Sequence, residues 1–293
     1  MSSSRHATLH GVWGRDPAKA HDIANRLGSR GYDDLDRLLE QVDAVAIAVP
    51  PGVQAELAVK AAQAGCHLLL EKPLAVDVAS AEAVVRAVDE AGVASVVFLT
   101  GRFRPEVERW IDAAAQAGQW HSAHVVHYAN IFQPGNPFGE SAWRREYGAL
   151  WDVGPHALAS VLPVMGKVTS VAARSGPAGS DTVHVLLTHG PHPAASDAPV
   201  GAVSASTLSL SLTMPAAATG THFALYGEHG TRTRPEGNFE AAEAFGRAVT
   251  ELASLVDSGE RHHRCGAHFG LDVVRVLAAA ERALELPAVE LRY

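Results

Sequence analysis

Gly65-Cys66-His67-Leu68-Leu69-Leu70-Glu71-Lys72-Pro73 is the stretch that decides the fold. A helix-like segment, residues 53–64, leads through Gly65 into a short apolar run, which reads as a buried strand. The run ends in a lysine followed by a proline that fixes the backbone. Working outward, the same alternation recurs. Asp16-Pro17 reads as an N-cap and first helical residue, with Gly28 as the stop. Residues 34–41 read as a short helix. Residues 42–49 are almost continuously apolar, as in a strand buried on both faces, and Pro50-Pro51 ends them. Asp77 caps a helix over 78–91, Gly92 stops it, and 94–99 form another buried strand. The β-α-β-α order predicts a parallel sheet, at whose carboxyl edge ligands bind. Lys72 falls at that edge.

The second part of the chain changes character. Residues 105–117 read as a helix. Residues 123–129, 168–174, 182–189, 201–214 and 219–226 read as longer strands. The period-two pattern from Val203 to Leu212 calls for one buried and one polar face. Strands without intervening helices predict a mainly antiparallel sheet. Residues 239–256 and 271–284 read as amphipathic helices. The segment 190–199, rich in Pro, Ala and His, reads as an exposed strand connection. The expected class is therefore α/β: a Rossmann-type parallel sheet over residues 1–102, incomplete at its start, then an α+β unit over 103–293 with an open, mainly antiparallel sheet.

Composition narrows the function classes. The chain has 293 residues, 47% of them hydrophobic, and a formal net charge of -8. An acidic pI near 6.0 argues against nucleic acid as a partner. Two cysteines, Cys66 and Cys265, make no disulfide framework and suit a reducing cytoplasm. No apolar run is long enough for a membrane span. The segment Arg261-His262-His263-Arg264-Cys265-Gly266-Ala267-His268 lacks the paired spacing of zinc ligands, and its arginines disfavour a dication, so it reads as a solvated loop with no metal.

A second cluster carries chemistry. In Gly148-Ala149-Leu150-Trp151-Asp152-Val153-Gly154-Pro155-His156, Asp152 and His156 are four apart, which on one helix puts both on one face. A carboxylate beside an imidazole can orient the ring and support its cation, as a general base requires. The alternative is an acidic helix start with His156 merely nearby.

Taken together, Glu71-Lys72-Pro73, Arg102-Phe103, Trp143-Arg144 and Asp152…His156 resemble the Gfo/Idh/MocA family, in order and spacing from about Ala7 to the C-terminus. These are NAD(P)-dependent sugar and cyclitol oxidoreductases. The resemblance implies Lys72, Asp152 and His156 as catalytic residues, with Lys72 bonding the reacting hydroxyl and His156 taking its proton. It implies cofactor contacts at Arg15, Pro50, Glu71, Lys72 and Pro73, and a cis Lys72–Pro73 bond. It places Arg102, Tyr128, Trp143 and Arg144 near a sugar or polyol substrate. Homodimers or homotetramers built on the second sheet are implied as well. The cofactor is NAD or NADP. Arg15, where an acidic ribose ligand would stand, leans to NADP.

Two departures stand out. Gln54 occupies a position where the family often carries His. No G-x-G-x-x-G occurs anywhere, and the opening segment resembles the family's second strand, so the first strand, its glycine loop and first helix are missing from the reading. Either the start of translation lies further upstream, which the intact remainder favours, or the sheet has re-paired. The alternatives to a dehydrogenase are a cofactor-poor relative that binds a ligand or moves protons, and a non-catalytic assembly subunit.

Overall fold

A computed structural model describes residues 7–136, 138–190, 204–237 and 240–287. The chain divides into two compact units, 1–103 with 239–271, and 104–238 with 272–293. Sequence reading drew one boundary near residue 102; the first unit also takes back the stretch from Phe239 to Leu271. The reason is the apolar face of one helix, Ala241–Ser258 (α8, numbered below), which packs against strands of the first unit.

The first unit alternates strand and helix. Its elements are β1 (Gly11–Trp13), α1 (Pro17–Arg26), β2 (Arg30–Tyr32), α2 (Leu35–Leu39), β3 (Ala44–Ile47), α3 (Pro51–Gln63), β4 (His67–Leu70), α4 (Val78–Ala91) and β5 (Ser95–Val97). Asp16 caps α1 through the Lys19 N–H at 3.2 Å, with Pro17 in the first turn. Asp77 caps α4 through the Ser80 N–H, and Gly92 closes it in the left-handed conformation. The parallel strands form two ladders, β1-β2 and β3-β4-β5. β4 is central and buried at Leu68–Leu70. β3 was expected to be buried on both faces; instead Ala44 is exposed and Val45 and Ala46 are half-buried. Among the described residues β3 pairs only with β4 and stands at the edge of its ladder, which leaves its other side open to solvent.

The second unit begins with α5 (Pro105–Ala117). A six-stranded sheet follows, with order β11-β10-β6-β9-β8-β7. Its strands are β6 (Trp120–Tyr128), β7 (Val168–Ser175), β8 (Val183–His189), β9 (Ser204–Ser211), β10 (Gly220–Gly227) and β11 (Gly230–Thr233). Every pairing is antiparallel except β6 with β9. β9 alternates as expected, with Ser206, Leu208 and Leu210 buried. Between β6 and β7 lie α6 (Ala142–Asp152) and α7 (Gly154–Met165), and α7 packs on β6 and β9. α8 (Ala241–Ser258) and α9 (Ala267–Leu284) complete the chain. Most of the connection expected at 190–199 lies outside the described residues. Among the described residues no helix is long and apolar enough to cross a membrane.

Candidate active site

In the first unit the site residues cluster past the carboxyl ends of the parallel strands. β4 delivers Glu71, Lys72 and Pro73 directly after Leu70, and the Lys72–Pro73 peptide bond is cis. Pro73, Leu74 and Ala75 are buried, while Glu71 and Lys72 are half-buried. The Lys72 N–H donates to Glu71 Oε2 at 3.2 Å. Pro50 caps α3 without a side-chain bond, so the backbone N–H groups of that helix start meet no capping side chain. Arg15 is exposed in the turn after β1. Asp16 is already spent on α1, which agrees with its reading as a cap.

Sequence reasoning treated Gln54 only as a departure. It is fully buried, and its Nε2 donates to Glu71 O at 2.7 Å and Pro73 O at 2.9 Å, with Leu74 O at 3.3 Å. Its Oε1 accepts from the Glu71 N–H at 2.9 Å. A polar residue inside the alanine-lined buried face of α3 was the signal that could have found it.

In the second unit Asp152 and His156 do not share one helix. Asp152 ends α6, Val153 joins, and α7 starts at Gly154 with Pro155 in its first turn. α6 itself is kinked at Gly148, whose φ of 60° and ψ of -162° suit glycine alone. In a straight helix Arg144 and Asp152 would stand about 12 Å apart along the axis. Across the kink Arg144 Nε donates to Asp152 Oδ2 at 3.1 Å. The guanidinium also lies over the rings of Phe138 (4.9 Å) and Trp143 (5.1 Å). Asp152 is buried and Arg144 mostly so.

The His156 ring lies 6.3 Å from that of His127 on β6. Strand alternation puts Tyr128 on the opposite sheet face. His127 is thus the β6 residue facing α7, and sequence reading named its neighbour. Arg102 was expected at the substrate; it is buried in the first unit with its guanidinium 5.7 Å from the centre of the Phe269 ring.

The segment from Arg261 to His268 is not simply solvated. His263 and Arg264 dock on Glu251, His263 stacks on Phe103, and Cys265 is buried with its carbonyl accepting from the Val97 N–H at 2.6 Å. Among the described residues no group of His, Cys, Asp or Glu could hold a metal ion. A cavity of about 350 Å³ is lined by Asp89, Ser95, Arg261, His262, His263 and His268. It lies at the amino end of β5, the edge of the sheet away from Lys72.

Residues 1–99 match the profile of an oxidoreductase family described as having an NAD-binding Rossmann fold. The chain is 32% identical over 100 residues to UDP-N-acetylglucosamine 3-dehydrogenase of Acidithiobacillus ferrooxidans, covering 34% of this chain and 32% of that protein. It is 32% identical over 171 residues to D-apiose dehydrogenase of Paraburkholderia graminis, covering 55% and 44%. The chain thus spans less than half the length of these curated relatives. Levoglucosan dehydrogenase, solved with NADH and levoglucosan, has the same fold at a TM-score of 0.76 and 19% identity, covering 97% of this chain and 90% of that one.

Proposed function

We propose that the chain is a Gfo/Idh/MocA oxidoreductase and transfers hydride between a nicotinamide cofactor and a secondary alcohol of a sugar-like or cyclitol-like molecule, a reading supported by the family match over residues 1–99. The observation that carries this reading is the wired Glu71-Lys72-Pro73 turn at the carboxyl edge of a parallel sheet, in a chain that also holds Asp152 and His156 at a helix junction. The relatives' names, dehydrogenases of apiose and of a UDP-sugar, support the substrate class.

The residues present fit the two ends of a nicotinamide dinucleotide. The exposed Arg15 after β1 suits a ribose 2′-phosphate, and the uncapped start of α3 with the Lys72 turn suits the nicotinamide end. When bound, the nicotinamide ring would take up or return the hydride. Lys72 would hydrogen-bond the substrate hydroxyl and lower the cost of its deprotonation. His156 would take that proton as the C–H hydride leaves, and return it in reduction. Asp152, held by Arg144, would orient the imidazole. Trp143 would supply an apolar wall for the sugar. A cytoplasmic homodimer or homotetramer assembled through the six-stranded sheet belongs to the same proposal.

The test is cofactor reduction followed by absorbance with a panel of aldoses, cyclitols and UDP-sugars, with NAD and NADP in parallel. Lys72→Ala and His156→Ala should each lower kcat by about 10²–10⁴. Unchanged kcat in either variant refutes that residue's role. The second reading, a ligand-binding or proton-transfer relative, is favoured by the lack of a G-x-G-x-x-G in the sequence. Sugar binding without measurable NADH or NADPH binding would establish it.

A further inference from the structure

We infer that Gln54 is a positioning residue for Lys72, a role that rests on the dehydrogenase reading above. A carboxamide offers two N–H donors and one carbonyl acceptor. Gln54 spends all of them on the backbone around the lysine, at Glu71 O, Pro73 O and Glu71 N–H, with Leu74 O as a longer third acceptor. The reciprocal pair with Glu71 is what a neighbouring strand's peptide would provide. Leu70 is the last residue of β4, and the Glu71 N–H, which donates to Ile47 O at 3.3 Å, is held more closely by Gln54 Oε1 at 2.9 Å. Gln54 thus reinforces the backbone just past the end of β4 and fixes the residues on both sides of Lys72.

The placement of Gln54 adds a second consequence. It sits in the first turn of α3, three residues after Pro51, where the chain leaves β3. The helix start and the lysine turn are both proposed to meet the nicotinamide end of the cofactor. One buried side chain therefore holds these two segments in register. A leucine would fill the same space within the alanine-lined face of α3, so packing alone does not call for an amide. Burying the amide is favourable only because each of its groups is bonded.

The experiment is a double-mutant cycle. Gln54→Leu should lower kcat about 10–10²-fold, the scale of a misplacement near 1 Å, and leave the sugar KM within about threefold. In a Lys72→Met background the same change should alter the residual rate by less than about threefold, since effects that act through one residue are not additive. Gln54→His should retain most of the wild-type kcat, because a neutral imidazole keeps one donor and one acceptor. An equal factor in both backgrounds overturns the inference. Amide exchange supplies a readout independent of catalysis: Gln54→Leu should speed exchange at Glu71 at least tenfold while amides within α4 keep their rates. Unchanged exchange at Glu71 also overturns it. If the unmutated protein oxidises no sugar, the dehydrogenase reading fails, and the exchange result still decides whether the clamp exists. Should Gln54→Leu not fold, Gln54→Asn, one methylene short of its partners, is measured with the same expectations.

Discussion

Glu251→Gln offers a sharp test of how the first unit holds its returning segment. Glu251 lies on α8 and accepts from His263 Nε2 at 2.8 Å, Arg264 Nη1 at 2.5 Å and Arg264 Nη2 at 3.1 Å. The Cys265 N–H donates to His263 Nδ1 at 3.1 Å, which leaves Nε2 as the nitrogen carrying the proton toward Glu251. Burial pushes the Glu251 carboxyl up, but the hydrogen bonds and charges of His263 and Arg264 outweigh it and bring it from 4.5 to about 2. That difference of 2.5, at about 1.36 kcal/mol per pH unit, sets a ceiling near 3.4 kcal/mol. The side chains of Glu251 and Arg264 are 32% and 33% exposed, so solvent screening cuts the figure to about 1.5–2 kcal/mol.

The sign follows from the depressed value. The contribution is complete above about pH 4.5 and is lost as pH falls toward about 2. Urea unfolding followed by circular dichroism should therefore show Glu251→Gln less stable by about 1.5–2 kcal/mol at neutral pH, with the gap narrowing steadily below pH 4.5. Arg264 also donates to Arg102 O at 3.0 Å and lies over the Phe103 ring, so exchange of the amides in the turn Thr100–Phe103 should rise in the variant. A gap under about 0.5 kcal/mol at neutral pH, or one that stays constant on acidification, refutes the reasoning.

Gly148→Ala should destabilise the second unit by about 1–3 kcal/mol in thermal unfolding, because an alanine is strained at that φ and ψ, and hydride-transfer activity should fall as Arg144 loses Asp152. His189 is fully buried, its Nδ1 donating to Gly166 O at 3.0 Å and its Nε2 accepting from Ser206 Oγ at 2.7 Å. Burial lowers its pKa, so stability is complete above about pH 6.5 and falls below it by at most about 1.4 kcal/mol per pH unit. His189→Gln should flatten that acid-side slope in urea unfolding, and parallel slopes for the two proteins would show that His189 does not titrate this way.

What the sequence made legible was local. Caps, stops and periodicity place α1, α4, α5 and β4 because each is specified by neighbours in the chain: Asp16 before Pro17, Asp77 before Val78, Gly65 before the leucine run. The lysine turn was legible for the same reason. Partnerships across many residues were not. An amphipathic pattern says that α8 has an apolar face but not which sheet that face covers. The four-residue spacing of Asp152 and His156 matched a helix, yet Pro155 and Gly154 start a new one, so the shared face expected from one helix is replaced by a junction. The Arg144–Asp152 contact needs a glycine conformation that spacing cannot express. Tyr128 and His127 were separable only once the register of β6 with β9 and β10 fixed which residue points toward α7.

The two ladders of the first unit bear differently on the proposed catalytic residues and on the proposed cofactor contacts. In a doubly wound sheet of order 3-2-1-4-5-6, the first strand lies between its second and fourth partners and carries the pyrophosphate-binding turn. In this chain the parallel strands form the separate ladders β1-β2 and β3-β4-β5. The exposure of Ala44 in β3, beside buried Leu68 and Leu69 in β4, marks β3 as a ladder's edge among the described residues. The elements proposed to act on substrate do not depend on that central position. The Lys72 turn is held by Gln54 from α3, and Asp152 by Arg144 across the Gly148 kink. Each clamp is short-range within its own unit, so the geometry around each proposed catalytic residue is set independently of whatever grips the cofactor's phosphates. Cofactor affinity, by contrast, would draw on both ladders, from Arg15 after β1 to Pro50 after β3. It is therefore the property most sensitive to what pairs with the edges of β1 and β3.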